Sequence, residues 1–242
     1  TYTVAATMEM KQRFARLFGA ERANALEFRT INGVSSKNIA YYTRTHGSGQ
    51  AFSLMEDDGE AAELIAGIYQ ELRREYPTPG TIKDIRTLIT YVKNQMLTPE
   101  EIRELDAGMN KFPELYDRYC AALRQVRRMD YDDQMVYAKT ILERYPDVLA
   151  YFQEQYPYIC VDESQDTSKI QHAIIRLLAS KTENLFMVGD EDQSIYGFRA
   201  AYPQALLDFE KDHPGAEVLL MEQNFRSNGQ IVKAADRFIQ KN

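Results

Sequence analysis

Beyond Pro157 the chain alternates between short apolar runs and stretches long enough for a helix. The runs are Tyr158–Val161, Leu185–Val188 and Val218–Met221, and helical stretches at 168–180 and 203–211 separate them. Antiparallel neighbours need only a tight hairpin, whereas spacings of this length suit right-handed helical crossovers, which leave the strands parallel. A buried parallel sheet places the carboxyl ends of its strands on one edge, and ligands bind just beyond that edge. The predicted class is therefore α/β. The residues that directly follow the runs become the candidates for chemistry.

The remainder reads as helix. From Ala6, the apolar positions Met10, Phe14, Leu17 and Phe18 recur at helical spacing up to Gly19, a stop signal. Ala25–Ile31 fits a short strand, and His46–Gly59 reads as a polar loop leaving the main body. Helices then follow one another from 61 to about 155. Leu64, Ile68 and Leu72 line one, and Ile82, Ile85, Ile89, Val92 and Met96 the next. Leu115, Tyr119, Leu123 and Val126 belong to a third, and Met135, Ala138, Ile141 and Leu142 to a fourth. Thr98-Pro99-Glu100-Glu101 has the form of a capping box, and Asp130 that of an N-cap. This is a helical insertion in an alternating domain. A last helix from about Gly229 is expected to bury Ile231, Ala235, Phe238 and Ile239.

Composition narrows the functional classes. The 242 residues are 44% hydrophobic, enough for a substantial core. No run approaches the roughly 18 apolar residues of a membrane span, no signal-type segment opens the chain, and the cytoplasm is the expected compartment. Cys120 and Cys160 lack metal-ligand spacing and read as buried thiols, while His46, His172 and His213 are scattered. A formal net charge of -7 argues against a broad basic face that coats duplex DNA. It leaves room for a local basic groove that grips a few stacked nucleotides of single strand.

The first run ends in Asp162-Glu163. Magnesium takes hard oxygen ligands, usually one or two carboxylates with water and phosphate, and a second carboxylate can orient and deprotonate an attacking water. Taken alone, Asp162 serves as well for the cap of the following helix. The second run leads into Gly189-Asp190-Glu191-Asp192-Gln193-Ser194-Ile195-Tyr196-Gly197-Phe198-Arg199. The small residue permits a tight turn, Gln193 could reach a phosphate or water, and Tyr196 and Phe198 are either stacking platforms for bases or packing for the turn. Arg199 is equally a surface charge. The third run leads to Glu222-Gln223-Asn224-Phe225-Arg226-Ser227, where an aromatic beside an arginine can stack an adenine and neutralise a phosphate. Ser227 or Asn228 also fits as the cap of the last helix.

Together these segments resemble the UvrD, Rep and PcrA family of superfamily 1 DNA helicases over essentially the whole chain. Val161-Asp162-Glu163-Ser164-Gln165-Asp166-Thr167 is similar to the family's magnesium motif, with Ser164 where an aromatic is usual. Val188–Arg199 resembles the next motif, and Glu222–Ser227 the one after it, with Phe225 in place of tyrosine. Thr1–Met10 aligns with an early DNA-contacting motif, with Val4 and Ala5 where asparagine and lysine are usual. Thr30-Ile31-Asn32 stands where a pattern normally ends in histidine, and Asp130-Tyr131-Asp132-Asp133 matches a further motif. The resemblance implies an incomplete RecA-like parallel-sheet domain of P-loop NTPase type, residues 1–50 and 129–242, with a helical insertion domain at 51–128. It also implies ATP and Mg2+ as cofactors, with Asp162 and Glu163 at the metal, Glu163 activating water, Gln193 sensing the terminal phosphate, Phe225 on the adenine and Arg226 on the phosphates. Single-stranded DNA would be met by Thr1, Tyr2, Thr3, Thr30, Asn32, Tyr131, Tyr196, Phe198 and Arg199. Junctions of single and double strand are the implied substrate, for a monomer moving 3' to 5'.

No glycine-rich loop ending in Gly-Lys-Thr or Gly-Lys-Ser occurs in the chain. In the family that loop precedes the first motif seen here and a second motor domain follows the last, so a piece of a longer motor is expected. Two other readings are a non-hydrolysing DNA-binding or partner-binding remnant and an unrelated magnesium-dependent phosphohydrolase. The remnant should have lost Glu163, Gln193 or Arg226, and the phosphohydrolase should show a nucleophile or a denser metal cluster. With the phosphate cradle lacking, this chain alone is expected to turn over ATP far below the roughly 1 to 10 per second of ordinary enzymes. Phosphate release with magnesium and single-stranded DNA checks this.

Overall fold

A computed structural model describes residues 3–47, 52–194 and 200–239. Helix α1 (Val4–Phe18) begins at Thr3, whose Oγ1 accepts the Ala6 N–H at 3.1 Å. It ends at Gly19, where φ is 92° and a side chain would be strained. A short α2 (Ala20–Ala25) leads to α3 (Ile31–His46), capped by Thr30. The segment expected to be a strand, Ala25–Ile31, is instead the end of α2, an extended connection and the first residue of α3. Among the described residues no strand lies beside it to accept its hydrogen bonds.

Strand β1 (Ser53–Leu54) leads into four helices: α4 (Asp58–Arg73), α5 (Pro79–Gln95), α6 (Pro99–Glu104) and α7 (Phe112–Gln125). The capping box at Thr98 forms in both directions, with Glu101 N–H on Thr98 Oγ1 at 3.2 Å and Thr98 N–H on Glu101 Oε2 at 2.7 Å. Ile65, Ile85, Val92, Phe112, Leu115 and Leu123 of these helices are buried in one core. The chain returns through β2 (Arg128–Met129), which pairs in parallel with β1, Ser53 beside Arg128 and Leu54 beside Met129. Entry to and exit from the helical segment therefore lie side by side.

Helices α8 (Tyr131–Arg144), α9 (Pro146–Gln155) and α10 (Lys169–Ala179) build a second core around Met135, Leu142, Val148, Phe152, Ile170 and Ile174, with Ile31, Val34 and Tyr41 of α3 packed against it. Strands β3 (Ile159–Val161) and β4 (Leu185–Met187) are parallel, with Val161 opposite Met187. Short helices α11 (Gln204–Leu207) and α12 (Phe209–Asp212) and the terminal α13 (Gly229–Ile239) complete the described chain. The fold is mostly helical with a small parallel sheet.

Four expectations need correction. The third run, Val218–Met221, is not a strand, and its side chains are exposed, Met221 at 87%. An apolar run becomes a strand only where a neighbouring edge takes its backbone groups, and no described strand pairs with this one. The last helix forms where expected, but Ile231, Ala235, Phe238 and Ile239 are exposed on it. Ile159 of the β3–β4 sheet packs on the second core, whereas Phe186 lies on the opposite face and is exposed. Cys160, beside Phe186 on that face, is therefore exposed, and Cys120 of α7 is half-buried at the margin of the first core, so neither is a buried thiol. Val126, read as part of a buried stripe, is 65% exposed because α7 stops at Gln125.

Phe152, with no exposed surface, is a direct test of the second core. Phe152→Ala is expected to lower stability by about 3 to 5 kcal/mol. Val126→Ala should stay within roughly 0.5 kcal/mol of the unaltered chain in the same thermal unfolding measurement.

Candidate functional site

The parallel ladder does not stop with the strands. Val188 N–H donates to the Val161 carbonyl at 2.8 Å and Ser164 N–H to the Val188 carbonyl at 3.0 Å, so the residues following β3 and β4 emerge locked together. Asp162 is half-buried and Glu163 exposed at this edge. Glu163 has φ 53° and ψ 44°, a left-handed backbone that a non-glycine residue adopts at a cost of about 1 to 2 kcal/mol. This turn directs the chain into one turn of 3-10 helix, Ser164–Asp166, ahead of α10. Asp162 caps neither helix. The start of α10 is closed by Gln171, whose Oε1 accepts the Ser168 N–H at 3.0 Å.

Gln165, 2% exposed, joins the two loops. Its Nε2 donates to Glu163 Oε2 at 2.7 Å, its Oε1 accepts the Asp190 N–H at 3.2 Å, and its carbonyl accepts the Ser194 hydroxyl at 3.2 Å. Gly189 is required by this closeness. A Cβ there would run into Ser164 Oγ and come within 2.8 Å of Gln165 Oε1. Beyond it, Gln193 is exposed and donates through Nε2 to Asp190 Oδ2 at 2.6 Å. Burial, and then the charge of Glu163, raise the Asp166 carboxyl above its ordinary range.

Asp162 and Glu163 form part of the floor of a cleft of about 690 Å³. Thr30, Asn32 and Tyr131 stand on one wall, and Lys83, Arg86, Thr87 and Thr90 of α5 on another. Thr30 uses its hydroxyl to cap α3, accepting the Gly33 N–H at 3.0 Å. Asn32 Nδ2 donates to the Tyr131 carbonyl at 3.4 Å. Tyr131 is 51% exposed. Thr3 is a helix cap outside the cleft lining. Phe225, 91% exposed, and Arg226 do not line the cleft. Asn224 Oδ1 there accepts the N–H groups of Arg226 (3.0 Å) and Ser227 (2.9 Å) in a local turn. Thr1, Tyr2, Tyr196, Phe198 and Arg199 lie outside the described residues.

Sequence reasoning missed the α5 wall and gave Gln165 no role. The signal for the wall was available: Lys83, Arg86/Thr87, Thr90 and Asn94 recur at helical spacing on the flank of the Ile85, Ile89, Val92 stripe. Gln165 carried no such signal, because Asp190 and Ser194, which it ties to Glu163, lie beyond another strand.

The donor set fits magnesium. Two hard carboxylates adjoin an open cleft, as an ion held partly by substrate phosphates requires. Among the described residues no group of three or more His, Cys, Asp or Glu is arranged to hold a metal ion by itself. The three histidines are apart. His46 Nε2 lies 3.1 Å from Asp147, His213 packs on Phe209, and His172 sits beneath the Ser164–Ser168 turn, its Nε2 buried without a partner. No helix among the described residues is long and apolar enough to cross a membrane.

This chain belongs to a family of helicase N-terminal domains: residues 1–214 match the UvrD/REP helicase N-terminal domain. Among its relatives are proteins named ATP-dependent DNA helicase PcrA. That of Leuconostoc citreum is 32% identical over 244 residues, that of Bacillus subtilis (strain 168) 33% over 244, and that of Staphylococcus aureus (strain Mu50 / ATCC 700699) 33% over 246. Each alignment covers 100% of this chain and 32 to 33% of the relative, so the chain spans about a third of their length.

Two outcomes test this geometry. Gly189→Ala should displace the Ser164–Gln165 turn and lower the melting temperature, although the added methyl is small. Burial brings His172 down from 6.5 to about 4, against hydrogen bonding to the backbone of Ser164 and Thr167. The unfolded chain therefore binds the extra proton first. The stability this group contributes is complete above about pH 6.5 and falls by up to roughly 3 kcal/mol as pH drops to about 4. A His172→Leu variant should lack that part of the pH dependence in denaturant unfolding.

Proposed function

We propose that this chain is the first motor segment of an ATP-dependent DNA helicase, of RecA-like P-loop NTPase type. Residues 1–50 and 129–242 form the motor domain and 51–128 the helical insertion. The observation that carries the reading is the shared edge: an Asp-Glu pair that lines a cleft walled by Tyr131, Asn32 and the cations of α5, and that is tied through Gln165 to the Gly-Asp loop behind it. Carboxylates are thereby placed beside groups suited to a nucleic-acid backbone. Family membership supports the same reading. Glu163, Gln193 and Arg226 are present, which speaks against a non-hydrolysing remnant.

In this proposal Asp162 holds magnesium together with the phosphates of ATP. The ion, when bound, offsets the charge that builds on the transferred phosphoryl group. Glu163 accepts the proton of the attacking water, and Gln165 holds its carboxylate toward the cleft. Gln193, carried on the loop bonded to Gln165, reads the terminal phosphate. Phe225 stacks the adenine and Arg226 neutralises phosphate, which requires the exposed Phe225–Ser227 turn to close onto the nucleotide. Tyr131 stacks a base of the single strand, while Lys83 and Arg86 meet its phosphates. Movement is 3' to 5' toward a junction of single and double strand.

In a polypeptide that carries this chain together with a phosphate-binding loop, Glu163→Gln is expected to keep ATP and DNA binding and to cut hydrolysis about a hundredfold or more. Asp162→Asn should instead weaken magnesium-dependent nucleotide binding. Normal hydrolysis by both variants would return the pair to a structural role.

A further inference from the structure

Helix α5 carries a set of buried polar side chains that the proposed chemistry leaves unused. Lys93 is 3% exposed, and its ammonium lies 2.6 Å from Asp130 Oδ2 and 2.7 Å from Asp133 Oδ1. The Tyr119 hydroxyl donates to the same Asp130 oxygen at 3.0 Å. Three residues before Lys93 and one residue after it, Thr90 Oγ1 and Asn94 Nδ2 donate to the two oxygens of Asp132 at 2.8 and 2.7 Å. All three aspartates of Asp130-Tyr131-Asp132-Asp133 are thus held by α5 and α7. Tyr131 alone among the four is not engaged through its side chain. Among the described residues its ring makes no hydrogen bond or ring contact, and it faces the cleft.

We propose that Lys93, Thr90 and Asn94 are positioning residues for Tyr131, fixing its ring at a set distance from the cationic wall of α5 so that both act on one stretch of nucleic-acid strand. The inference rests on the DNA-binding reading of the cleft. Its physical basis is the direction of the bonds. Asp130 and Asp132 flank Tyr131 and are bonded to Lys93 and to Thr90 and Asn94, which share one face of α5, so the first residue of α8 cannot rotate without breaking a bond to that face. Burial works against the Lys93 charge, yet the carboxylates of Asp130 and Asp133 outweigh it and hold its pKa above the ordinary range. Removing one partner of such a group leaves the others buried and uncompensated, which makes the joint stiff. A packing contact would have been adequate for fold alone. The same helix presents Lys83, Arg86 and Thr87 to the cleft about two turns earlier, so whatever fixes α5 against Asp130–Asp133 also fixes those cations against Tyr131.

The test is a double-mutant cycle on this chain with a fluorescently labelled oligo-dT strand at fixed salt, each variant also being followed by thermal unfolding. Tyr131→Ala is expected to weaken binding roughly tenfold, as loss of one stacked base predicts. Lys93→Met and Thr90→Val should each weaken binding several-fold when Tyr131 is present and cause no further loss in the Tyr131→Ala background. Thr90→Val leaves the ion pair intact, so it decides the matter if Lys93→Met does not fold. Equal losses with and without Tyr131, or a lower melting temperature with unchanged affinity, would overturn the positioning role and leave the joint purely structural. No binding by the unaltered chain, or no effect of Tyr131→Ala, would overturn the DNA reading of the cleft itself, and the proposal with it.

Discussion

The return of the chain from its helical segment is the constraint on which the rest of the structure depends. Parallel pairing of Ser53–Leu54 with Arg128–Met129 brings the end of that segment back to its beginning. Asp130 follows at once, and its carboxylate caps α8 through the Asp133 N–H at 2.7 Å while accepting from Lys93. One residue therefore starts a helix of the second core and binds a helix of the first. A buried ammonium between two carboxylates contributes little net stability by comparison with apolar packing, but it tolerates few alternative geometries. The two cores, each held by ordinary aliphatic and aromatic packing, acquire a defined relation through this joint, and the cleft acquires its width.

The other organising feature is the edge of the β3–β4 sheet. Only three residue pairs are in register, yet the ladder continues through Val188 and Ser164 into the loops that follow both strands. Glu163 has a left-handed backbone, Gly189 leaves no room for a Cβ, and Gln165 is buried with its amide divided between the two loops. Unfavourable local geometry of this kind persists where surrounding structure over-determines it, and such places are commonly sites of chemistry. The two loops are joined by the Gln165 amide, by the Ser194 hydroxyl on the Gln165 carbonyl and by the Ser164 N–H on the Val188 carbonyl. Despite an overall charge of -7, Lys83 and Arg86 stand together on the α5 wall of the cleft.

Much of the helical architecture was legible because its signals are local. Thr98 with Glu101, Asp130 as a cap, Gly19 as a stop and the Ile85, Ile89, Val92 stripe all lie within a turn or two of what they determine. The Asp-Glu pair and the glycine after the second run were legible for the same reason: each directly follows its strand. Helix α3 was not. Its sequence, rich in Ser, Thr, Asn and β-branched residues, has weak intrinsic preference, and it is helical because Ile31, Val34 and Tyr41 pack on the second core. Val218–Met221 shows the converse, a run with strand character that pairs with no described strand.

By itself, then, the sequence determined the capped starts at Thr98 and Asp130, the stop at Gly19, the parallel order of two strands and the identity of the acidic and glycine residues at their ends, since these follow from periodicity, capping and backbone sterics over a few residues. Tertiary structure alone decided which of them meet. Lys93 and Asp130 are 37 positions apart, and Gln165 and Asp190 are 25 apart. Partners at such separations are chosen by topology and by the cost of leaving a buried charge or amide without a bond, and neither is written in any local pattern.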